Sequence, residues 1–220
     1  MIILDFGSGN TCKNDPDYII RMIDELDAVD SRKHEVIIKW QLFNRNIGKN
    51  EVLQSWAFSH AFNYATTKGY RTTASVFDKE ALKFLLGFDV PFIKLANRPD
   101  LYWLAGEVPR KIPVYASFSN IGDFWSRQPE WTIDEVMWCV SKYPATIEDY
   151  EKNVILPNYK EGELAELLKP YSAISDHTTD FTLYHKYKPK IYECHYKLSD
   201  STGLDAGSFS RTAEQLAEIL

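Results

Sequence analysis

The feature that most restricts the fold of this chain is a rhythm. Short apolar runs rich in β-branched and aromatic residues recur at 2–6 (IILDF), 36–43 (VIIKWQLF), 72–77, 91–96, 112–118, 135–141, 171–175 and 190–198. Between them lie segments with helical spacing. Residues 16–29 repeat apolar side chains every three or four positions, with Pro16 suited to a first helical turn and Asp15 to the cap before it. Residues 50–69 open on Asn50 and close on Gly69, and shorter helices fit at 78–87, 100–108, 146–153, 160–169 and 210–220. Strand alternating with helix eight times predicts an α/β fold, a minimal (β/α)8 TIM barrel forming a single domain over residues 1–220. A doubly wound open sheet shares the alternation. It would want a glycine-rich phosphate turn after its first strand, and none is present. The segment 119–132 is the weakest unit and reads mostly as loop.

A barrel carries its chemistry at the C-terminal ends of its strands. The second strand places Lys39 and Gln41 on the face of Ile37, because strand side chains alternate. An interior lysine needs an anion beside it; the alternative is an edge strand with Lys39 in water. The fourth strand repeats the device with Lys94, followed by Asn97. Two lysines converging in a dry pocket suit a ligand with several negative charges, such as a phosphate joined to a carboxylate. Serines recur at strand ends, at Ser117, Ser119, Ser141 and Ser175, with Tyr143 beyond the sixth strand. Ser175 pairs with His177 at two-residue spacing, as Glu193 does with His195. Adjacent strands are ~4.8 Å apart, so both imidazoles can reach one divalent metal ion, Mn²⁺ or a relative such as Mg²⁺ or Co²⁺. Two idle polar histidines are the alternative. A carboxylate at Glu193 can move a proton to or from water; the alternatives are a second metal ligand or a structural partner of Lys94. His34, His60 and His185 fall in predicted loop or helix and receive no role.

The net charge of −6 argues against nucleic acid as the main partner. Cys12, Cys139 and Cys194 are odd in number and far apart, which is neither a disulfide framework nor a zinc spacing. With too short an apolar start for a signal peptide and no run of ~18 apolar residues for a membrane span, a cytoplasmic protein without membrane contact is expected.

Taken in order, these elements resemble the N-acetylneuraminate (sialic acid) synthase family. Residues 38–43 (IKWQLF) resemble its K-F-Q strand, 75–78 (SVFD) its (T/S)-x-F-D segment, and 93–97 (IKLAN) its K-I-A-S strand. Residues 113–117 (PVYAS) resemble the strand leading to S-T-G, 139–145 (CVSKYPA) resemble C-x-S-x-Y-P, and 174–178 (ISDHT) resemble G-x-S-D-H-T. Residues 192–198 (YECHYKL) resemble I-E-K-H-F-T, and 203–210 (GLDAGSFS) resemble G-P-D-H-x-F-S with one residue inserted.

The resemblance implies a metal-dependent barrel that condenses phosphoenolpyruvate with an N-acetylhexosamine-like aldose, giving a 2-keto-3-deoxy sugar acid and phosphate. It implies that Lys39, Lys94, Ser117 and Ser175 hold phosphoenolpyruvate, with Asn97 standing where the family has a serine, and that Ser141 belongs to the same strand-end set. His177 and His195 would bind the metal, and Glu193 would handle the proton of the attacking water. Gln41, Tyr143 and Asp205 would face the sugar, and Asp5 stands where the family has a glutamate. The departures gather on the sugar side. Pro99 occupies the place of a sugar-contacting glutamate, Cys194 replaces a lysine, and Leu220 precedes the family's small C-terminal antifreeze-like domain. The alternative is therefore a barrel that binds phosphoenolpyruvate or a sugar acid without turnover. A homodimer is compatible with the family, and the oligomeric state stays open.

Overall fold

The computed structural model describes residues 1–119, 133–152 and 172–220. Eight parallel strands close into a barrel: β1 (Ile2–Asp5), β2 (Val36–Leu42), β3 (Arg71–Val76), β4 (Ile93–Leu95), β5 (Val114–Phe118), β6 (Glu135–Cys139), β7 (Ala173–Asp176) and β8 (Ile191–Tyr196). Each pairs with the next, and β8 returns to β1 with Ile3 opposite Glu193 and Asp5 opposite His195. A two-residue strand, β9 (Ser210–Arg211), adds to the upper end of β8.

The period-two alternation of a strand sorts the residues into an interior and an outer face. Ile3, Ile37, Phe92, Met137, Ala173 and Ile191 fill the lower half of the barrel, with the Phe92 and Tyr115 rings stacked 4.2 Å apart. The same faces continue upward as polar residues: Asp5 above Ile3, Lys39 above Ile37, Ser175 above Ala173, and Glu193 above Ile191. An apolar plug thus closes the bottom and leaves a polar chamber at the top. The outward faces of the strands pack under helices. Between β1, β2 and β8, Phe6 lies 5.1 Å from Trp40 and 4.6 Å from Tyr196. Fully burying a side chain of this size is worth ~1.5–3 kcal/mol, so this layer contributes heavily to closure.

The helices in chain order are α1 (Gly9–Cys12), α2 (Pro16–Val29), α3 (Ser55–Thr67), α4 (Lys79–Leu85), α5 (Ile147–Lys152), α6 (Thr182–Tyr187) and α7 (Ala213–Leu216). Helix α2 starts where the sequence indicates, with Asp15 Oδ1 accepting from the Tyr18 amide at 2.9 Å. Its buried Ile19, Met22, Ile23 and Leu26 form one face toward the barrel.

Other segments differ from expectation. Asn50 does not cap α3; it pairs with Ile47 in a small bridge, and the helix begins five residues later. Residues Pro99–Glu107 form 3₁₀ turns rather than an α-helix. The expected helix 210–220 is divided between β9 and α7, because Ser210 and Arg211 are drawn into the sheet. Helices α1 and α6 were not expected. The expected helix 160–169 and most of the loop 119–132 lie outside the described residues. Among the described residues no helix is long and apolar enough to cross a membrane.

Candidate functional site

The strand ends surround a cavity of about 310 Å³ at the C-terminal mouth of the barrel. Thirteen residues singled out from the sequence line it: Asp5, Lys39, Gln41, Lys94, Asn97, Ser117, Ser141, Tyr143, Ser175, His177, Glu193, His195 and Asp205; the strand-end Ser119 does not. Parallel pairing explains the convergence. Asp5 lies opposite Lys39 and His195, and Ser175 lies opposite Glu193, and residues of all eight strands line the one chamber.

The two lysines are buried to the same degree but differ electrostatically. Lys39 Nζ lies 2.5 Å from Asp5 Oδ2 and 3.9 Å from Glu193 Oε2, and donates to Ser75 Oγ at 3.0 Å. Burial works against its charge, yet Asp5 and Glu193 outweigh burial and hold its pKa above the ordinary value. Lys94 Nζ donates to Ser117 Oγ at 2.6 Å and lies 3.6 Å from Glu193 Oε1. Burial lowers its pKa, and Glu193 offsets this only in part while Lys39 adds repulsion. Lys94 is therefore the less neutralised cation. Glu193 would be raised by burial, but Lys39 and Lys94 hold it below the usual carboxylate range; Ser175 Oγ donates to its Oε1 at 2.8 Å. Its Oε2 has no hydrogen-bond partner.

On the opposite wall Gln41 Nε2 bridges two carboxylates, donating to Asp5 Oδ2 at 3.1 Å and Asp205 Oδ1 at 3.0 Å. Asp5 would be raised by burial, but the charge of Lys39 and the hydrogen bond it donates hold it low. Burial, then Asp5, push Asp205 up to about 7. Asn97 is committed inside the protein: its Nδ2 donates to Ser141 Oγ at 2.8 Å and to Ser119 Oγ, and its Oδ1 accepts from the Ser119 amide at 3.2 Å. It ties together the ends of β4, β5 and β6.

The His177 and His195 rings are neighbours, with centroids 5.4 Å apart and planes tilted by 49°. His177 Nδ1 donates to Val140 O at 2.6 Å, which leaves Nε2 as the lone-pair nitrogen. His195 Nδ1 has no hydrogen-bond partner and sits 3.5 Å from Asp205 Oδ1 and 3.8 Å from Asp5 Oδ2. Burial pushes His177 down to about 4 and lowers His195 as well. Both rings are thus neutral near pH 7, the form that ligates metals. Among the described residues no cluster of three or more His, Cys, Asp or Glu is arranged to hold a metal. The donor set fits a divalent ion bound by two imidazoles, with oxygens of substrate or water completing the shell. Tyr143, 45% exposed, lays its ring 4.2 Å from that of His177 and forms the rim.

Several contributors were not legible beforehand. Ser75 and Cys139 line the chamber, the thiol pushed up to about 11 by burial. Tyr150, on α5, clamps the end of β7. Its hydroxyl donates to Ser175 O at 2.6 Å and accepts from the His177 amide at 3.0 Å. Ala145 N in turn donates to His177 O at 2.8 Å. Behind β7, Asp176 accepts from Tyr192 Oη at 2.5 Å and lies 3.5 Å from Arg211 Nη2. Arg211 also donates to the carbonyls of Thr178, Phe209 and Asp180, locking the turn after His177. Arg211 directly follows the 203–210 segment, a position the sequence does show. Tyr150, on a short helix just after the 139–145 segment, offered none.

No protein-family model and no curated protein sequence matches the chain. Solved structures do. An N-acetylneuraminic acid (sialic acid) synthetase from Leptospira borgpetersenii serovar Hardjo-bovis superposes with a TM-score of 0.73 at 21% identity, covering 99% of this chain and 80% of that one. The likeness is one of fold. A spore coat polysaccharide biosynthesis protein E from Chromobacterium violaceum gives a TM-score of 0.72 at 16% identity, over 99% and 71% of the two chains. A truncated 3-deoxy-D-arabino-heptulosonate 7-phosphate synthase from Thermotoga maritima gives 0.60 at 9% identity, over 99% and 82%.

Proposed function

We propose that this chain is a synthase that joins phosphoenolpyruvate to the aldehyde of an open-chain aldose, forming a 2-keto-3-deoxy sugar acid and releasing phosphate. One observation carries the reading. Two buried lysines, one of them under-neutralised, share a chamber with two neighbouring neutral imidazoles and a partnerless carboxylate oxygen. The fold neighbours include synthases by name, which agrees with it.

The residues divide the work by position. Lys94, with Ser117 and Ser175 beside it, receives the phosphate and carboxylate of the donor. Lys39 stays locked to Asp5 and holds Glu193 in place. C3 of phosphoenolpyruvate forms the new bond to the aldehyde carbon, whose oxygen becomes an alkoxide and takes a proton. Water oriented by Oε2 of Glu193 adds at C2, its first proton passes to the alkoxide, and the tetrahedral C2 expels phosphate, which leaves with the second proton as the ketone forms. The low pKa of Glu193 makes it a weak base, so its first task is to orient that water. The Asp5–Gln41–Asp205 wall offers acceptors and one amide donor to the hydroxyls of the acceptor. His177 and His195 would hold a divalent ion, Mn²⁺ first among the choices, which supplies Lewis-acid polarisation of the aldehyde when bound.

The test is release of phosphate from phosphoenolpyruvate with a panel of aldoses and Mn²⁺. Release that requires an aldose and is lost in His195→Ala supports the reading. Tight binding of phosphoenolpyruvate with no release under any aldose would replace it with a binding barrel.

A further inference from the structure

The reaction chamber does not end at the barrel mouth. A second cavity, about 620 Å³, adjoins it above the ends of β2, β3 and β4. Ile47, Phe77 and Arg98 line both, so the two spaces share a wall. Phosphoenolpyruvate and the aldehyde end of an acceptor occupy the inner chamber on the reading above. Nothing in that reaction reaches residues 44–46.

The outer groove is already built. Asn44 N donates to Asp78 Oδ2 at 2.8 Å and its Nδ2 to Glu80 Oε2 at 3.2 Å, while Val52 N donates to Asn46 Oδ1 at 3.0 Å. One wall is apolar, with Phe43 and Phe77 edge to face at 5.8 Å and Ile47 37% exposed. The polar lining carries one more negative than positive group. Asp78, Glu80 and Asp100 face Arg45 and Arg98, three carboxylates against two guanidinium groups. Arg98 is further taken up by two hydrogen bonds to Asp100, at 2.9 and 2.7 Å. This lining has no surplus positive charge for a phosphate or nucleotide. What it keeps is hydrogen-bonding capacity: the guanidinium of Arg45, which has no ion pair among the described residues, the Asn46 amide nitrogen and the Asn44 amide oxygen. Mixed donors and acceptors beside an aromatic and aliphatic wall match a neutral, hydroxyl-rich ring with an apolar face.

We propose that the acceptor is a reducing oligosaccharide of at least two rings. Its reducing residue enters the inner chamber and its glycosidically linked neighbour lies in the groove of Phe43, Arg45 and Phe77. Only the reducing residue opens to an aldehyde, so the second ring is carried through with no bond made or broken. The proposal takes the identity of the inner chamber from the synthase reading, but the two-ring preference is a matter of binding.

The test uses alditols, which cannot react. The protein with phosphoenolpyruvate and Mn²⁺ is titrated calorimetrically with N-acetylglucosaminitol and with N,N′-diacetylchitobiitol. The two-ring probe is expected to bind about tenfold tighter or better. Arg45→Ala removes that advantage and leaves the one-ring affinity within about twofold. Equal affinities, absence of two-ring binding, or a parallel loss for both probes in Arg45→Ala overturns the proposal. Phosphate release with reducing sugars is read separately: its absence sinks the synthase reading while a two-ring preference still stands.

Discussion

Exchanging each buried lysine for methionine gives opposite outcomes, because Asp5 neutralises Lys39 and leaves Lys94 short of charge. Lys39 Nζ is 2.5 Å from Asp5 Oδ2 and 3.9 Å from Glu193 Oε2, and every side chain involved is 5% exposed or less. Lys39→Met leaves two buried carboxylates with only Lys94 between them. Breaking a buried pair in this way costs about 3–5 kcal/mol. For a domain of this length each kcal/mol moves the melting midpoint by about 2–4 °C, so the expected fall is about 6–20 °C. Lys94→Met removes an ammonium that burial and Lys39 already disfavour, and puts an apolar chain of similar volume in its place. Its stability should change by about 1 kcal/mol or less in either direction. The ligand response reverses the order. Phosphoenolpyruvate at about a hundred times its Kd adds about 2.7 kcal/mol to wild type, which is about 5–11 °C, and this shift should vanish in Lys94→Met. Thermal unfolding followed by circular dichroism, with and without phosphoenolpyruvate, reads both effects. Equal destabilisation of the two variants, or an intact ligand shift in Lys94→Met, would refute the assignment of Lys94 as the under-neutralised cation.

Other outcomes follow from the same geometry. Tyr150→Phe strips partners from the His177 amide and the Ser175 carbonyl, both buried, and should cost about 1–3 kcal/mol in a chemical denaturation experiment. His195→Ala should reduce aldose-dependent phosphate release at least about a hundredfold while the far-ultraviolet dichroism stays unchanged. Asp205 has its pKa raised from 3.8 to about 7 by burial, then by Asp5. The native state therefore holds this proton more tightly than the unfolded chain, and the associated stability is present below about pH 4 and lost as pH rises to about 7. In metal-free protein the stability of Asp205→Asn relative to wild type should rise across that window and level off above it, which urea titrations at pH 5, 6, 7 and 8 will show.

Much of the chamber was readable because a strand has a period of two. Once Ile37 is inside, so are Lys39 and Gln41, and the same rule carries Ser175 to His177 and Glu193 to His195. The cap and face of α2 were readable because Asp15, Pro16 and the apolar spacing act locally. The helix start at residue 50 was misread because Asn50 found a closer partner in Ile47, an exchange no local preference announces. Helix 210–220 was misread because the edge of β8 offers Ser210 and Arg211 backbone pairing, and Arg211 a buried set of carbonyls.

By itself, then, the order of residues determined the alternation of strand and helix, the closed barrel, and which strand ends bear lysine, histidine and carboxylate, because these depend on periodicities a few residues long. Only the tertiary structure decided that Asp5 neutralises Lys39 and leaves Lys94 short of charge, that Tyr150 and Arg211 hold the His177 turn, and that a second groove opens beside the mouth. Those facts depend on contacts between residues far apart in sequence, 34 positions for Asp5 and Lys39, 27 for Tyr150 and His177 and 33 for Arg211 and Thr178, and such contacts exist only once the barrel has closed.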